Sequence, residues 1–176
     1  MMMKRFLMVV LAAGLAVVSL ADETIEQSGL LVDLDAVVDT GAVSPVDGIT
    51  SAGQPDEIAL RVFAEKGYTT VIDIRTAGED RGIDEPKVVE SLGMDYVLLP
   101  IGGDDITFDS ARQLDKLIED AEGPVLVHCG SGNRVGALLA LRKSLDGADD
   151  ETALAYGRDG GMTRLESQVK EVLADE

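Results

Sequence analysis

The sequence predicts an α/β fold, with a mostly parallel sheet of four to five strands and helices on both faces of the sheet. Two observations carry this prediction. From Ile49 onward, short apolar and β-branched runs alternate with segments whose apolar residues recur every three or four positions, as strands and helices do. The chain of 176 residues is also the length of one domain plus an N-terminal targeting segment.

The first half of this domain is expected to contribute two helices and two strands. Pro55 is well placed in the first turn of a helix, which Gly67 ends. The β-branched run 69–74 predicts a buried strand. After a polar loop, 85–92 reads as a second helix, and 96–99 forms the next strand.

The second half contains the strongest helical patterns. Thr107 is a candidate cap for a helix, 125–128 is a strand, and 135–144 is a helix so apolar that it should lie centrally. Two further helices are expected over 150–156 and 164–174. The buried stripe of the helix after Thr107 consists of Phe108, Ala111, Leu114, Leu117 and Ile118.

The only cysteine and the only histidine of the chain lie together in the run His128-Cys129-Gly130-Ser131-Gly132-Asn133-Arg134. A strand that breaks into a Gly-rich turn and then a helix directs backbone N–H groups at one point, where an anion can bind. That setting favours a Cys129 thiolate, and Arg134 adds a planar fork of donors. The run therefore predicts a nucleophilic Cys129 and an oxyanion site. An inert buried cysteine is the alternative.

Three further motifs stand in order before this run. They are Ser51-Ala52-Gly53-Gln54-Pro55, Val71-Ile72-Asp73-Ile74-Arg75, and Gly93-Met94-Asp95-Tyr96 leading into Leu98-Leu99-Pro100-Ile101. With them, the stretch from Ile49 to Leu141 resembles the cysteine-dependent phosphatase superfamily. The resemblance is closest to the bacterial phosphatase-like domain of beta-lactamase-hydrolase-like proteins, a dual-specificity-phosphatase-like group that is also labelled a sulfurtransferase family.

The resemblance implies hydrolysis of phosphate monoesters of the tyrosine or dual-specificity type, through a phosphocysteine and without a cofactor. Cys129 would attack phosphorus, and Arg134 would stabilise the charge that develops on the oxygens. The residues expected to bind the substrate are Gly130, Ser131, Gly132, Asn133 and Arg134. The general acid would be Asp104 or Asp105, although two acids at this place also favour a helix N-terminus.

Two other residues are expected to support the site. His128 should face away from Cys129, because successive side chains of a strand point to opposite faces, and the resemblance implies that it supports the cysteine loop through hydrogen bonds. Arg75 ends a strand at the same sheet edge. It is interpreted as part of a structural ion pair, with pairing to Glu79 or substrate binding as alternatives.

The loop itself leaves a second chemistry open. Four residues separate Cys129 from Arg134, one fewer than in the tyrosine and dual-specificity phosphatases and the same number as in many rhodanese-type sulfurtransferases. A tighter ring of amides suits a persulfide sulfur. The alternatives are therefore sulfur transfer through a Cys129 persulfide and noncatalytic binding of an anion.

The N-terminus predicts export. Lys4 and Arg5 precede the apolar stretch 6–20, and a small-x-small site ends at Ala21. Residues 1–21 are therefore a predicted signal peptide, which leaves no stable membrane anchor after cleavage and implies a periplasmic or secreted protein. Residues 22–47 are expected to form a leader, with a short strand or helical turn around 30–38, and 48–176 to form the domain.

Composition limits the partners. The formal net charge is −18, and removing the basic signal peptide makes it more negative, so nucleic acid is not an expected partner. A single cysteine precludes an internal disulfide, and one His with one Cys gives no metal-ligand cluster in the sequence. The expected partner is a phosphate monoester or phosphoprotein, or else a sulfane-sulfur donor.

Overall fold

A computed structural model describes residues 43–46 and 49–175 of the chain. Its sheet has five strands in the order β1-β2-β5-β3-β4. They are β1 (Val43–Val46), β2 (Ile49–Ala52), β3 (Thr70–Asp73), β4 (Asp95–Leu98) and β5 (Val125–His128). β1 pairs antiparallel with β2, and the other four strands are parallel. The predicted mostly parallel sheet is confirmed.

Six α-helices and one short 3₁₀ turn at Gly103–Asp105 accompany the sheet in the described residues. The side chain of Thr107 accepts a hydrogen bond from the N–H of Ser110, which confirms the predicted cap. The helices are α1 (Glu57–Glu65), α2 (Glu85–Ser91), α3 (Phe108–Glu119), α4 (Asn133–Leu145), α5 (Asp150–Asp159) and α6 (Glu166–Ala174).

The two faces of the sheet have separate apolar cores. Val71 and Leu126 pack with Phe63 of α1 on one face, whereas Ile72 and Val127 belong to the core of α3 to α6 on the other. Alternation along each strand sends neighbouring side chains to opposite cores. Helices therefore cover both faces, as the sequence predicts.

The parallel strands end level with one another. Ala52 pairs with His128, His128 with Asp73, and Asp73 with Leu98. The loops that follow these four residues therefore leave the sheet at a single edge, the edge at which ligands bind in open α/β sheets. The cysteine loop is one of them.

α4 and α5 approach each other closely through glycines. A Cβ on Gly136 would overlap the backbone N of Met162 and lie 2.5 Å from the carbonyl oxygen of Gly157. A Cβ on Gly157 would lie 2.7 Å from the Cβ of Ala140. Because no side chain fits at either position, α4 is held directly against α5 and the turn that follows it.

Two strands differ from the expectation. β2 covers residues read only as the approach to a helix, and β1 lies in the segment 22–47 that was expected to be a leader. The strand or helical turn expected around 30–38 and the signal peptide lie outside the described residues, so they remain predictions. Within the described ranges, no helix combines the length and apolarity needed to cross a bilayer.

Candidate active site

The run from Cys129 to Arg134 forms the predicted strand–turn–helix junction. Gly132 has φ +78°, in the left-handed region that favours glycine, and Gly136 donates the first helical hydrogen bond to its carbonyl at 2.9 Å. The N–H groups at 133–135 precede that bond, so they are the ones an anion can use. An isolated bridge between Gly53 and Ser131 ties the loop to the segment after β2.

Cys129 lies at the base of this loop. Its N–H donates to the carbonyl of Ala52 at 3.3 Å, and its side chain, 1% exposed, packs with Val127 in the core on the α4 side. His128 is fully buried and contacts groups of the other face. The predicted opposition of the two side chains is confirmed.

The guanidinium of Arg134 is fixed by three hydrogen bonds. Nη1 donates to Glu79 Oε1 at 2.7 Å and to the carbonyl of Ile101 at 3.0 Å, and Nη2 donates to Glu79 Oε2. The donors left over are Nε–H and one hydrogen of Nη2, which form the side edge of the fork. Glu79 first, and Cys129 in addition, raise the pKa of Arg134. The guanidinium therefore interacts with the thiol group as well as with the carboxylate.

Glu79 is a site residue that the sequence did not single out. Thr76 holds its carboxylate through a backbone N–H at 2.8 Å and a hydroxyl at 3.2 Å. The hydrogen bonds from Arg134 lower the pKa of Glu79 to about 2. The carboxylate is thus ionised at neutral pH, so it positions Arg134 and cannot donate a proton.

Arg75 is part of a structural ion pair, as predicted. The alternative prediction that it pairs with Glu79 is wrong. Its side chain is 1% exposed, donates from Nε to Asp73 Oδ1 at 2.9 Å, and binds Glu85 through Nη2. His128 Nε2 lies 2.6 Å from Glu85 Oε1. This is ion-pair distance, although the two atoms are not aligned as an ordinary hydrogen bond. Arg75 thus stabilises the sheet edge and contacts His128 only through Glu85.

The same cluster resembles a metal site in its donor atoms. Asp73, Glu85 and His128 place three potential ligand atoms within 4.8 Å of one another. The carboxylates are already partnered, since Arg75 bridges them and Arg81 Nε donates to Asp73 Oδ2 at 2.8 Å. Burial, the largest single cause, raises the pKa of Asp73, but the hydrogen bonds from Arg75 and Tyr96 and the electrostatic effect of His128 together outweigh it and lower the pKa to about 2. A cation would have to displace a guanidinium, so the cluster does not fit a metal.

An open pocket of about 530 Å³ lies at the cysteine loop, within the size range of small-molecule sites. Three predicted binding residues, Gly130, Ser131 and Asn133, line it beside Arg134, whereas Gly132 and Cys129 are not part of the lining. The full lining is Glu79, Gly103, Gly130, Ser131, Asn133, Arg134, Arg164 and Leu165.

Asn133 has a contact that its sequence position does not indicate. Its Oδ1 accepts hydrogen bonds from the N–H groups of Thr163 at 2.7 Å, Arg164 at 2.9 Å and Leu165 at 3.4 Å. The carbonyl end of the side chain therefore anchors the segment before α6. A role for Asn133 in binding substrate remains a prediction for its backbone N–H and Nδ2.

Asp104 and Asp105 lie in the 3₁₀ turn between β4 and α3. Both are exposed, and this loop reaches the pocket through Gly103. Asp105 Oδ2 accepts a hydrogen bond from the N–H of Gly102 at 3.1 Å, so it stabilises the turn. Asp104 has no such bond within the described part of the chain. Which of the two is the acid remains a prediction.

With this geometry in place, comparison with known proteins identifies the family. Residues 33–146 match the model described as "Beta-lactamase hydrolase-like protein, phosphatase-like domain". The chain belongs to this family. A relative from Agrobacterium fabrum, called beta-lactamase hydrolase-like protein, is 34% identical over 110 residues, which cover 60% of this chain and 26% of the relative. The chain therefore spans about a quarter of that protein.

Solved structures similar to this phosphatase-like domain are cysteine-phosphatase folds. One is Pseudomonas aeruginosa TpbA in complex with pTyr, with a TM-score of 0.52 and 19% identity over 76% of this chain and 94% of that one. Another is the core catalytic domain of the PP-IP phosphatase SIW14 from S. cerevisiae, with a TM-score of 0.60 and 18% identity over 76% and 86%. At these identities the likeness establishes the fold, which is the predicted one.

Proposed function

We propose that this phosphatase-like protein is exported and hydrolyses phosphate monoesters through a phosphocysteine at Cys129. The observation that carries the proposal is the state of the Arg134 fork. Glu79 and the carbonyl of Ile101 occupy its outer donors, which leaves the parallel Nε–H and Nη2–H pair beside Cys129. A bidentate edge next to a thiol at a helix N-terminus suits the oxygens of a phosphoryl group.

In the proposed first step, the Cys129 thiolate attacks phosphorus, an S–P bond forms and the ester P–O bond breaks. The side edge of Arg134 and the amides of 133–135 stabilise the charge on the equatorial oxygens. The departing alkoxide takes a proton from an aspartic acid, for which Asp104 is the first candidate because Asp105 already binds Gly102. Water then attacks the phosphocysteine, which releases inorganic phosphate and restores the thiolate.

The exported location is proposed from the N-terminal sequence alone. Cleavage after Ala21 would release a mature protein into the periplasm or medium, where its substrate would be a small phosphate monoester or a phosphoprotein. Phosphotyrosine is a suitable probe, because the TpbA structure contains it. N-terminal sequencing of the protein recovered outside the cytoplasm tests this part: a first residue of Asp22 supports it, and an intact N-terminus on cell-associated protein contradicts it.

The activity is tested with purified protein and an aryl phosphate, with Cys129→Ser as the blank. Turnover that the blank lacks is expected, together with a phosphocysteine trapped by rapid acid quench and detected as an intact-mass gain. Asp104→Asn is expected to lower kcat by about 10²–10⁴ for a poor leaving group, and Asp105→Asn to lower it less. Turnover that survives Cys129→Ser would contradict the mechanism.

Sulfur transfer is the second candidate, because the short loop and the buried thiol at its base suit a single sulfur atom. Cys129 would take a sulfane sulfur from thiosulfate, with release of sulfite, and cyanide would accept it. Turnover with thiosulfate and cyanide in the absence of aryl phosphate turnover would replace the proposed function. Binding of phosphate without either turnover would leave a noncatalytic anion-binding domain.

A further inference from the structure

One wall of the pocket comes from the C-terminal part of the chain, where Arg164 and Leu165 line it. Asn133, next to Arg134 in sequence, fixes this wall by accepting from the N–H of Arg164 at 2.9 Å. Gln168 Nε2 donates to the carbonyl of Gly103 at 2.9 Å. The wall is therefore attached both to the cysteine loop and to the loop before α3, so the backbone of Arg164 has a fixed place beside the anion site.

Arg164 also lacks the partner that most arginines of this chain have. Within the described ranges, the arginines that pair with a carboxylate are Arg75, Arg81, Arg112, Arg134, Arg142 and Arg158. The chain has 33 acidic and 15 basic residues, so carboxylates are plentiful. Arg164 and Arg61 of α1, both exposed, nevertheless form no such pair within the part of the chain that the structure describes. Arg164 is thus a cation at the pocket that forms no ion pair with any carboxylate of the described residues.

The charges of the lining show what this cation is suited to bind. Glu79 and Arg134 cancel as an ion pair, and Arg134 retains one bidentate edge, enough for one phosphoryl group. Because of Arg164, the pocket lining has a net positive charge, although the whole protein has a formal net charge of −18. We infer that the pocket selects phosphate monoesters that carry a second anionic group, and that Arg164 is the residue that binds this second group. The inference rests on the proposed function for its turnover readout.

The test compares two substrates with the same leaving-group chemistry. 3-(4-phosphonooxyphenyl)propanoate has a remote carboxylate, and its methyl ester does not, while the methylene spacer insulates the phenolic oxygen from the difference. At low ionic strength, the wild-type kcat/KM is expected to favour the acid over the ester by about two- to fivefold, the size of one exposed charge pair. Arg164→Gln is expected to remove or reverse this preference, because the protein's net charge then repels the acid.

The matched control is Arg61→Gln, which removes the other arginine that has no carboxylate partner among the described residues. Arg61 does not line the pocket, so the acid-to-ester ratio is expected to stay unchanged. A wild-type ratio at or below one overturns the inference. So does an equal loss of kcat/KM for acid and ester in Arg164→Gln, since Arg164 would then act on the first phosphoryl group. A loss of the ratio in Arg61→Gln would assign the preference to overall charge and would also overturn it.

A binding measurement keeps the inference separate from the proposed function. Calorimetric titration of Cys129→Ser with 3-[4-(phosphonomethyl)phenyl]propanoate and with its methyl ester, the non-hydrolysable analogues of the two substrates, is expected to show tighter binding of the acid by a similar factor, and this difference should be lost when Arg164→Gln is added. If no aryl phosphate is hydrolysed but this difference is present, the proposed function fails and the second-anion site stands. Equal binding of both ligands overturns the site whatever the activity.

Discussion

Arg75 and Arg134 both bind carboxylates beside the cysteine loop, yet they differ in whether the guanidinium keeps donors that a ligand can reach. Arg75 is 1% exposed and is enclosed by Asp73 and Glu85 on the face opposite the thiol. Arg134 is 15% exposed, and its Glu79 partner leaves one edge open at the pocket. An ion pair alone therefore does not distinguish a structural arginine from a binding one. The donors that remain, and their access to solvent, do.

The largest expected effect is on stability at the enclosed arginine. Arg75→Met leaves the buried Glu85 without its arginine and Asp73 with Arg81 alone, so the free energy of unfolding in urea should fall by about 3–5 kcal/mol. Arg112→Met is the control, since its pair with Asp109 is exposed and should matter by less than about 1 kcal/mol. Equal effects of the two substitutions would mean that the enclosed pair contributes no more than a surface one.

The open arginine should show the reverse pattern. Arg134→Lys keeps the charge but loses the planar fork, so kcat/KM for an aryl phosphate should fall by about 10²–10³. The free energy of unfolding should change by no more than about 1 kcal/mol. A lysine variant that retains activity within a few-fold would contradict the role given to the side edge of the guanidinium.

Acid sensitivity separates the two carboxylate partners. The pKa of the buried Asp73 is lowered from 3.8 to about 2, so its contribution is present above pH 4 and is lost as the pH falls toward 2. This predicts a loss of about 2 kcal/mol of unfolding free energy across that window. The check is the free energy of unfolding in urea, measured between pH 4 and pH 2. Asp73→Asn should reduce its dependence on pH, and Glu79→Gln, which changes a half-buried group, should reduce it less. The opposite order would be inconsistent with the burial difference.

The smallest expected effect comes from loosening the open pair. Glu79→Gln keeps the shape of the side chain but weakens its hold on Arg134, so kcat/KM should fall by about tenfold with little change in stability. The change should divide between KM and kcat. If the guanidinium is only misplaced, bound substrate should help to reposition it, so kcat should fall less than kcat/KM. A rise in kcat/KM would instead mean that Glu79 competes with the substrate for Arg134.

Local patterns predicted most of the fold. The β-branched run at β3 and the apolar helix after the cysteine loop identify a buried parallel sheet, and Thr107 caps α3 as expected. β2 was not predicted, because the adjacent polar residues Thr50 and Ser51 give its four residues, Ile49–Ala52, no alternating pattern, although the Asp-Gly pair directly before it is a typical hairpin signal. β2 pairs with its neighbour in sequence, β1, and also with β5, and the pairing with β5 is a tertiary contact that no short window contains.

The site was predictable only where its residues are contiguous. The loop from Cys129 to Arg134 is readable because glycines, thiol and guanidinium follow one another along the chain. Glu79 reaches Arg134 across 55 positions and Arg164 reaches Asn133 across 31, so neither has a local signature. The alternative of Glu79 as the partner of Arg75 was wrong for a related reason. Glu79 and Glu85 both follow Arg75 within ten residues, and only the folded chain brings Glu85 of α2 to it.

The glycine contact between α4 and α5 limits how far the cysteine loop can be transplanted. Gly136 rests on the backbone of Gly157 and Met162, and the same C-terminal region supplies Asn133 with its partners and the pocket with a wall. A chimera that carries the loop and α4 into another scaffold would lose all three together. For protein engineering, a transplanted unit must therefore contain at least the segment from β5 through α6, and it needs Glu79 as well to position Arg134.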